Sequence, residues 1–173
     1  MESFLNKLKD ISTFIFDVDG VLTDGSVFID DKGDQYRQFN IKDGNAIQLS
    51  VMCVYVVCAI SGSRSKIPIH RLNSLGVKDV YVGAHTKTDN LKGYMEEKHV
   101  LPASVLFMGD DIPDIDAMKL AGLAVCPADA AEEIKAISHY ISPYNGGQGA
   151  VRDVIEKVLK VQGKWMSEQA YSW

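Results

Sequence analysis

Asp17 and Asp19 stand one residue apart at the end of an apolar run, and they are the residues of this sequence with the clearest potential for chemistry. The run from Phe14 to Phe16 precedes them and Gly20 follows, a pattern typical of a buried strand that delivers carboxylates to the rim of a sheet. Two carboxylates this close repel each other and raise each other's pKa unless a cation compensates. Mg²⁺ prefers such oxygen ligands and accepts one or two protein carboxylates together with substrate phosphate. The pair therefore predicts a Mg²⁺ site, and an idle, solvated acidic loop is the alternative.

Further polar residues follow other apolar runs along the chain. The runs predicted as strands are Thr13–Phe16, Val54–Ile60, Val80–Val82, Val105–Met108, Leu123–Cys126 and Tyr140–Ile141, with helices predicted between them. This alternation predicts an α/β fold with a doubly wound, parallel, Rossmann-like sheet. Because such sheets bind ligands at the carboxyl ends of their strands, the polar residues that follow the strands should meet at one edge. They are Asp17, Asp19, Ser61, Lys87, Asp110 and Asp111.

The connections between these elements are short. Residues 26–40 predict a β-hairpin flap, since two apolar runs flank a turn at Gly33. After the flap, the pattern predicts a helix that starts near an Asp cap and reaches Val51. No insertion is long enough for a cap domain, so we expect one domain over residues 1–173. Small-molecule sites are usually enclosed, and a single domain without a cap leaves this edge of the sheet open. The flap or the aromatic tail at residues 164–173 of another copy is the expected lid.

The predicted cluster contains the groups that phosphoryl transfer needs. Asp17 would attack phosphorus and form an aspartyl phosphate, while Asp19 would protonate the leaving alcohol and then activate water. A serine at a glycine turn and a lysine are suited to holding the phosphate. Uncatalysed hydrolysis of phosphate monoesters is extremely slow, so electrostatic stabilisation by Mg²⁺ and Lys87 must supply much of the rate enhancement.

Composition excludes several other classes of protein. The chain has 173 residues, 46% of them hydrophobic, and a net charge of −5 with no basic stripe, so we expect no nucleic-acid partner. The N-terminus lacks the apolar segment of a signal peptide, and the longest apolar run, Val51–Ile60, is too short to span a membrane. Three cysteines without metal-binding spacing are expected to be buried thiols of a cytoplasmic protein.

Four motifs, in this order along the chain, resemble those of the haloacid dehalogenase superfamily. They are Asp17 to Thr23, Ser61 after a strand, Lys87, and Gly109-Asp110-Asp111 followed by Asp114. More narrowly, three segments and the hairpin resemble the capless 3-deoxy-D-manno-octulosonate 8-phosphate phosphatases. These segments are Thr23 to Gly25, Phe39 to Gly44 and Gly146 to Arg152. That resemblance covers roughly residues 10–164.

The resemblance implies a set of site residues and an assembly. The implied ligands of Mg²⁺ are Asp17, the backbone carbonyl of Asp19, Asp110 and, as a further acid, Asp111. The implied catalytic residues are Asp17, Asp19, Ser61 and Lys87, with Asp114 orienting Lys87. The implied substrate-binding residues are Asp19, Asn40, Ile41, Lys42, Asp43, Gly44, Ser61, Gly62, Arg64, Arg71 and Lys87. The family's tetramers imply a homotetramer in which the flap or tail of one copy contributes to a neighbouring active site.

The implied function is Mg²⁺-dependent hydrolysis of a phosphorylated 3-deoxy-2-keto sugar acid, namely 3-deoxy-D-manno-octulosonate 8-phosphate, for lipopolysaccharide sugar biosynthesis. Gln48 and Ser63 stand where many relatives have arginine, and Arg64 beside Ser63 is a candidate substitute. A 2-keto-3-deoxy-nonulosonate 9-phosphate is therefore an alternative substrate. A phospho-accepting receiver domain is a more remote alternative, disfavoured because Ser61 follows the strand at which a receiver would carry a separate aspartate. A noncatalytic scaffold would not need the full motif set.

Overall fold

A six-stranded parallel sheet forms the centre of this computed structural model, which describes residues 4–168. The strands are β1 (Thr13–Phe16), β2 (Phe28–Ile29), β3 (Gln35–Tyr36), β4 (Val56–Ile60), β5 (Asp79–Tyr81), β6 (Val105–Met108), β7 (Leu123–Cys126) and β8 (Tyr140–Ile141). The central sheet has the order β5-β4-β1-β6-β7-β8, and β2 and β3 form a separate antiparallel hairpin. The strand order reverses beside β1, and α/β sheets bind their ligands at such a point.

Helices cover both faces of the central sheet. They are α1 (Phe4–Lys7), α2 (Ile41–Met52), α3 (Ile67–Asn73), α4 (Lys87–Glu97), α5 (Ile115–Leu120), α6 (Glu132–Ile137) and α7 (Ala150–Val161). Phe14 and Phe16 of β1 pack in one hydrophobic cluster with α2 and α7, whereas Ile15 packs in a second cluster with α4, α5 and α6. Because successive strand residues point to opposite faces, this division confirms the predicted doubly wound α/β fold. None of the helices within residues 4–168 combines the length and the apolarity needed to cross a bilayer.

The register of the three central strands determines where the chain can place polar groups. Phe16, the last residue of β1, lies opposite Ala59 of β4 and Met108 of β6. All four residues of β1 are buried, and Asp17, the first polar residue after this strand, is only 6% exposed. The residues that follow these three strands therefore emerge side by side at one edge of the sheet.

Strand β4 starts two residues later than the sequence predicts. Val54, the first residue of the predicted strand, has a positive φ of 66° and is 90% exposed. Its N–H donates to the Val51 carbonyl in the turn that ends α2. The β propensity of Val54 favours a strand at this position. The turn that ends α2 instead holds Val54 at positive φ, a conformation that is rare for a β-branched residue.

The start of α2 is capped by Asn40 rather than by an aspartate. Its Oδ1 accepts hydrogen bonds from backbone N–H groups in the first turn of α2, and its Nδ2 donates to the Gly147 carbonyl at 3.1 Å. Asp43 is 1% exposed and accepts hydrogen bonds from the N–H groups of Gly149 and Arg152. The predicted Asp cap was therefore wrong, and Asp43 instead joins α2 to the start of α7.

The flap consists of residues 26–40 and contains the hairpin of β2 and β3. Its apolar side chains face solvent: Phe28 and Ile29 are each 65% exposed and Tyr36 is 51% exposed. A two-stranded hairpin is only marginally stable on its own, so the flap depends on contacts beyond its own strands.

Candidate active site

A cleft at the carboxyl ends of β1, β4 and β6 gathers the acidic residues that follow these strands. Its volume is about 360 Å³. The cleft is lined by Asp17, Asp19, Gly25, Ser61, Gly62, Ser63, Lys87, Asp110, Asp111, Pro113 and Asp114. The fold thus brings together residues from three strand ends and from the first turn of α4.

Lys87 lies between two carboxylates in this cleft. Its Nζ is 2.8 Å from Asp17 Oδ1 and 2.6 Å from Asp114 Oδ1. Burial by itself would lower the pKa of the Lys87 amine, but the charges of Asp17 and Asp114 outweigh burial and raise that pKa. Lys87 therefore stays positively charged and is held beside Asp17.

Asp17 and Asp110 both carry carboxyl groups with raised pKa values. Burial raises the pKa of Asp17 from 3.8 to about 6, with the Asp114 charge adding to the shift and Lys87 opposing it. The pKa of Asp110 is raised from 3.8 to about 8, chiefly by burial, with the charges of Asp17 and Asp114 adding to the shift and Lys87 opposing it. Ionised carboxylates are unfavourable in such surroundings unless positive charge is nearby. The single Lys87 charge does not fully compensate these acids.

The donor atoms of the cleft fit a hard divalent cation. One carboxylate oxygen each from Asp17, Asp110 and Asp114 lie within 4.8 Å of one another. Asp110 Oδ1 is buried and has no hydrogen-bond partner among residues 4–168. Asp114 is already engaged, since its Oδ1 faces Lys87 and its Oδ2 accepts from the Asp110 N–H at 3.2 Å. Asp17 and Asp110 are therefore the carboxylates best placed to bind Mg²⁺.

Asp111 and Asp114 belong to the 3₁₀ turn that follows β6. Asp111 is exposed, and its Oδ1 accepts a hydrogen bond from the Ile112 N–H at 2.8 Å, so its carboxylate caps this turn. Asp114 is fully buried and contacts Lys87 directly. The orienting role of Asp114 and the ligand role of Asp111 both stay predictions.

Arg37 is a residue of this site that sequence reasoning missed. Its Nε donates to Asp19 Oδ1 at 2.5 Å and its Nη2 donates to Asp19 Oδ2 at 3.2 Å. The Arg37 side chain is 3% exposed, whereas that of Asp19 is 30% exposed. No motif marks Arg37, and the one available signal was that residues 26–40 contain only two basic residues, Lys32 and Arg37.

Ser61 follows β4 directly and is 1% exposed. Its N–H donates to the Tyr81 carbonyl at 2.8 Å, and its Oγ accepts from the Ser63 N–H at 3.1 Å. This serine turn, with Gly62 at its centre, forms the side of the cleft next to β4. It places a hydroxyl and backbone donors near Asp17, as phosphate binding requires.

Several of the predicted sugar-acid contacts line cavities outside the acidic cleft. Ile41 and Lys42 line a second cavity of about 650 Å³ beside the start of α7. Arg64 lines a third cavity of about 730 Å³ between the flap and α3. Ser63 lines both the acidic cleft and this third cavity, so the two adjoin each other.

The remaining predicted sugar-acid contacts have clear roles in packing. Asn40 and Asp43 join the start of α2 to residues 147–152, as described above, and Asn40 also lines the second cavity. Gly44 lies against Arg71, because a Cβ added at Gly44 would come within 2.4 Å of an Arg71 guanidinium nitrogen. Within a single copy of the chain these residues do not reach the acidic cleft, and their sugar-binding roles stay predictions.

Comparison with known proteins identifies the family. Residues 71–155 match the model of haloacid dehalogenase-like hydrolases. Over 160 residues the chain is 33% identical to the 3-deoxy-D-manno-octulosonate 8-phosphate phosphatase KdsC of Salmonella typhi. This alignment covers 92% of this chain and 85% of the Salmonella protein. The chain belongs to the 3-deoxy-D-manno-octulosonate 8-phosphate phosphatase family. The predicted superfamily and the prediction of a phosphatase are therefore confirmed.

Solved structures of the octulosonate phosphatase family share this fold. The 3-deoxy-D-manno-octulosonate 8-phosphate phosphatase of Yersinia pestis matches with a TM-score of 0.90 at 32% identity, over 92% of this chain and 86% of that one. The Moraxella catarrhalis enzyme, solved in complex with a magnesium ion, a phosphate ion and a KDO molecule, matches with a TM-score of 0.89 at 31% identity. That match covers 92% of this chain and 91% of the Moraxella chain.

The raised pKa values predict how the stability of this octulosonate phosphatase depends on pH. Protonation of Asp17 and Asp110 contributes stability that is fully present below their ordinary pKa of 3.8 and is lost as pH rises through about 6 and about 8. Metal-free protein should therefore have a lower Tm at about pH 8.5 than at about pH 5, and Mg²⁺ should raise the Tm more at the higher pH. Thermal unfolding with EDTA or excess Mg²⁺ measures both effects. An Asp110→Asn variant should show a weaker response to Mg²⁺, and an equal response in both proteins would contradict the proposed site.

A second prediction concerns the close approach of Gly20 to Asp110. Gly20 has a φ of +91°, and a Cβ added there would lie 2.1 Å from Asp110 Oδ2. Gly20→Ala should therefore displace the Asp110 carboxylate and weaken Mg²⁺ binding at least tenfold, measured by calorimetric titration. Gly33→Ala is the matched control, because Gly33 also has a positive φ, +85°, but nothing lies within 4 Å of its added Cβ. Equal Mg²⁺ affinity in both variants would show that Asp110 does not need this approach.

Proposed function

We propose that this protein hydrolyses 3-deoxy-D-manno-octulosonate 8-phosphate to the free sugar acid and inorganic phosphate in a Mg²⁺-dependent reaction. The observation that carries the proposal is the cleft in which Asp17 lies beside Lys87 and shares a cluster of carboxylate oxygens with Asp110. The names of its relatives support the substrate, since they act on this sugar phosphate or were solved with its sugar product.

In the first step of the proposed mechanism, Asp17 is the nucleophile. A carboxylate oxygen of Asp17 forms a bond to phosphorus while the bond between phosphorus and the sugar oxygen breaks. Asp19 donates a proton to the departing sugar oxygen, so the products are the free sugar acid and an aspartyl phosphate. Lys87 and the Ser61 turn hold the phosphoryl oxygens during this transfer.

In the second step, water releases the phosphate. Asp19, now ionised, takes a proton from the attacking water as the new oxygen–phosphorus bond forms. The bond between Asp17 and phosphorus then breaks and restores both carboxyls to their starting forms. The partial exposure of Asp19 supports this role, because a group that serves first a sugar oxygen and then water must be reachable from the cleft.

The proposed Mg²⁺ ligands are the side chains of Asp17 and Asp110 and the backbone carbonyl of Asp19, with Asp111 nearby as a further acid. Bound there, Mg²⁺ would neutralise phosphate charge and stabilise the transition state. Asp114 acts through Lys87, whose amine it holds 2.6 Å from its own Oδ1. Raised pKa values and the unpartnered Asp110 oxygen support this assignment.

The substrate-binding residues of the proposal extend beyond the cleft. Gly62 and Arg64 lie closest to it, because Gly62 lines the cleft and Arg64 lines the adjoining cavity. The remaining residues of the set do not reach the cleft of their own copy. In an assembly they would have to reach the cleft of a neighbouring copy. They are Asn40 to Gly44 and Arg71. The relatives that this chain matches do not favour the alternative substrate, a nonulosonate 9-phosphate. A receiver domain is not favoured by the family of this chain.

We place the reaction in the cytoplasm, in the synthesis of a lipopolysaccharide sugar. All three cysteines are free, and Cys58 and Cys126 are buried, which suits a reducing compartment. The sugar acid in the names of the relatives supports the pathway.

We also propose a homotetramer in which the flap or tail of one copy covers the cleft of another. The exposed apolar side chains of Phe28, Ile29 and Tyr36 support an interface at the flap. Within the tail at 164–173, Trp165 is partly buried against the protein's own core, with the Arg152 guanidinium 5.3 Å from its ring. Residues 169–173 lie outside the described part of the chain, so the structural support for the tetramer comes from the flap.

Phosphate release from a panel of sugar phosphates tests the function. We expect the highest kcat/KM for 3-deoxy-D-manno-octulosonate 8-phosphate and lower values for the nonulosonate 9-phosphate and for p-nitrophenyl phosphate. EDTA should abolish all activity, and excess Mg²⁺ should restore it. Asp17→Asn should lower kcat by at least about 10³-fold, since the nucleophile itself is removed.

The controls of this experiment separate the possible errors. Asp89→Asn changes an acidic residue of α4 that does not line the cleft, and it should retain full activity. A preference for the nonulosonate would replace the proposed substrate, and activity in EDTA would contradict the Mg²⁺ site. Turnover retained by Asp17→Asn would show that the nucleophile is wrong.

The mass of the protein in solution tests the assembly. We expect a tetramer by light scattering, and we expect Phe28→Asp combined with Ile29→Asp to give smaller species with much lower activity. Lys32→Asp, a charge change in the flap turn, should leave the mass unchanged. Full activity in a monomeric wild-type protein would contradict the proposal that a second copy completes the site.

A further inference from the structure

We propose that Arg37 of the flap is a positioning residue that fixes the Asp19 carboxylate for proton transfer. This inference rests on the proposed function, in which Asp19 is the acid and base of phosphate ester hydrolysis. Arg37 contacts both oxygens of Asp19, at 2.5 Å and 3.2 Å, and is the flap residue that joins the hairpin to the acidic cleft. Such a two-point contact fixes the plane of a carboxylate as well as its position.

The same guanidinium connects three parts of the chain. Besides Asp19, its Nη2 donates to Ser63 Oγ at 3.0 Å and to Gln35 Oε1 at 3.3 Å. Ser63 in turn donates its N–H to Ser61 Oγ at 3.1 Å, in the turn that lines the cleft. Arg37 therefore ties the loop after β1 and the serine turn after β4 to the flap. A movement of the flap would move the Asp19 carboxylate relative to Ser61.

Stability of the folded chain does not account for this arrangement. Arg37 Nη1 is buried without a hydrogen-bond partner among residues 4–168, and a buried donor left unpaired is unfavourable. The Asp19 side chain is 30% exposed, so water could solvate its charge if Arg37 were absent. The contact between Arg37 and Asp19 requires desolvation of the guanidinium, and it is not needed to neutralise a buried charge. We therefore attribute this contact to the orientation that it gives to Asp19.

The chemistry of Asp19 makes orientation matter. In the first step one Asp19 oxygen must face the departing sugar oxygen, and in the second step it must face the attacking water. With both oxygens bound to one rigid guanidinium, the carboxylate cannot rotate about its terminal bond without losing a contact. The lone pairs of the Asp19 oxygens that do not accept from Arg37 then face the cleft in one fixed direction.

Kinetics of Arg37 variants test this role. Arg37→Met should lower kcat for the sugar phosphate by about 10- to 100-fold with less than about a threefold change in KM, since general acid–base catalysis as a whole contributes about 10²- to 10⁴-fold. Arg37→Lys keeps the charge but not the two-point contact, and it should give an intermediate kcat. Lys78→Ala changes an exposed basic residue outside the flap and the cleft, and this variant should match the wild type.

Two readouts distinguish positioning from a structural role. With p-nitrophenyl phosphate, whose leaving group departs as p-nitrophenolate and needs no proton from Asp19, the rapid first release of p-nitrophenolate should be nearly unchanged in Arg37→Met. In an Asp19→Asn background, Arg37→Met should cause no further loss of kcat. Equal losses with both leaving groups, or a full additional loss in the double variant, would overturn the proposal.

The outcomes also separate this proposal from the function on which it rests. A wild-type protein that hydrolyses no phosphate ester would refute the proposed function itself, and with it the role of Arg37. Active wild type with full kcat in Arg37→Met and Arg37→Lys would refute only the role of Arg37. Thermal unfolding of each variant shows whether it is folded, and Arg37→Lys serves as the decisive variant if Arg37→Met does not fold.

Discussion

Repulsion among buried carboxylates is the constraint on which the rest of this structure depends. Asp17, Asp110 and Asp114 each bring an oxygen within 4.8 Å of the others, and burial raises the pKa of Asp17 to about 6 and that of Asp110 to about 8. Lys87 offsets part of this repulsion through its contacts with Asp17 and Asp114. The remaining deficit of positive charge makes the cleft a site for a divalent cation and for the chemistry that a cation supports.

The fold provides this cleft through strand register and close backbone approach. Three neighbouring strands end at matched positions, so their acids and serine emerge at one edge. Gly20 lets the backbone pass beside Asp110, where any side chain would collide with the carboxylate. The flap then adds Arg37 from outside the sheet. The acids at the strand ends are held by the central sheet, whereas Arg37 comes from the flap, whose apolar side chains Phe28 and Ile29 are mostly exposed.

The sequence was sufficient to predict the sheet and the edge at which the acids gather, because strands alternate with helices and polar residues follow several of the strands directly. It was not sufficient where the partner of a side chain lies far along the chain. Arg37 meets Asp19 only after the flap folds back, and Asp43 looked like a helix cap until its contacts with α7 were seen. Val54 shows the same limit locally, since a helix-ending turn overrode its β propensity.

The central claim is that Asp17 receives the phosphoryl group while it shares a divalent cation with Asp110. A crystal structure of the protein with Mg²⁺ and beryllium fluoride, a mimic of an acyl phosphate, tests this claim most directly. The account predicts a beryllium–oxygen bond to Asp17 and a metal ion in contact with the Asp17 and Asp110 carboxylates. Beryllium fluoride bound to another residue, or a metal ion away from Asp110, would contradict it.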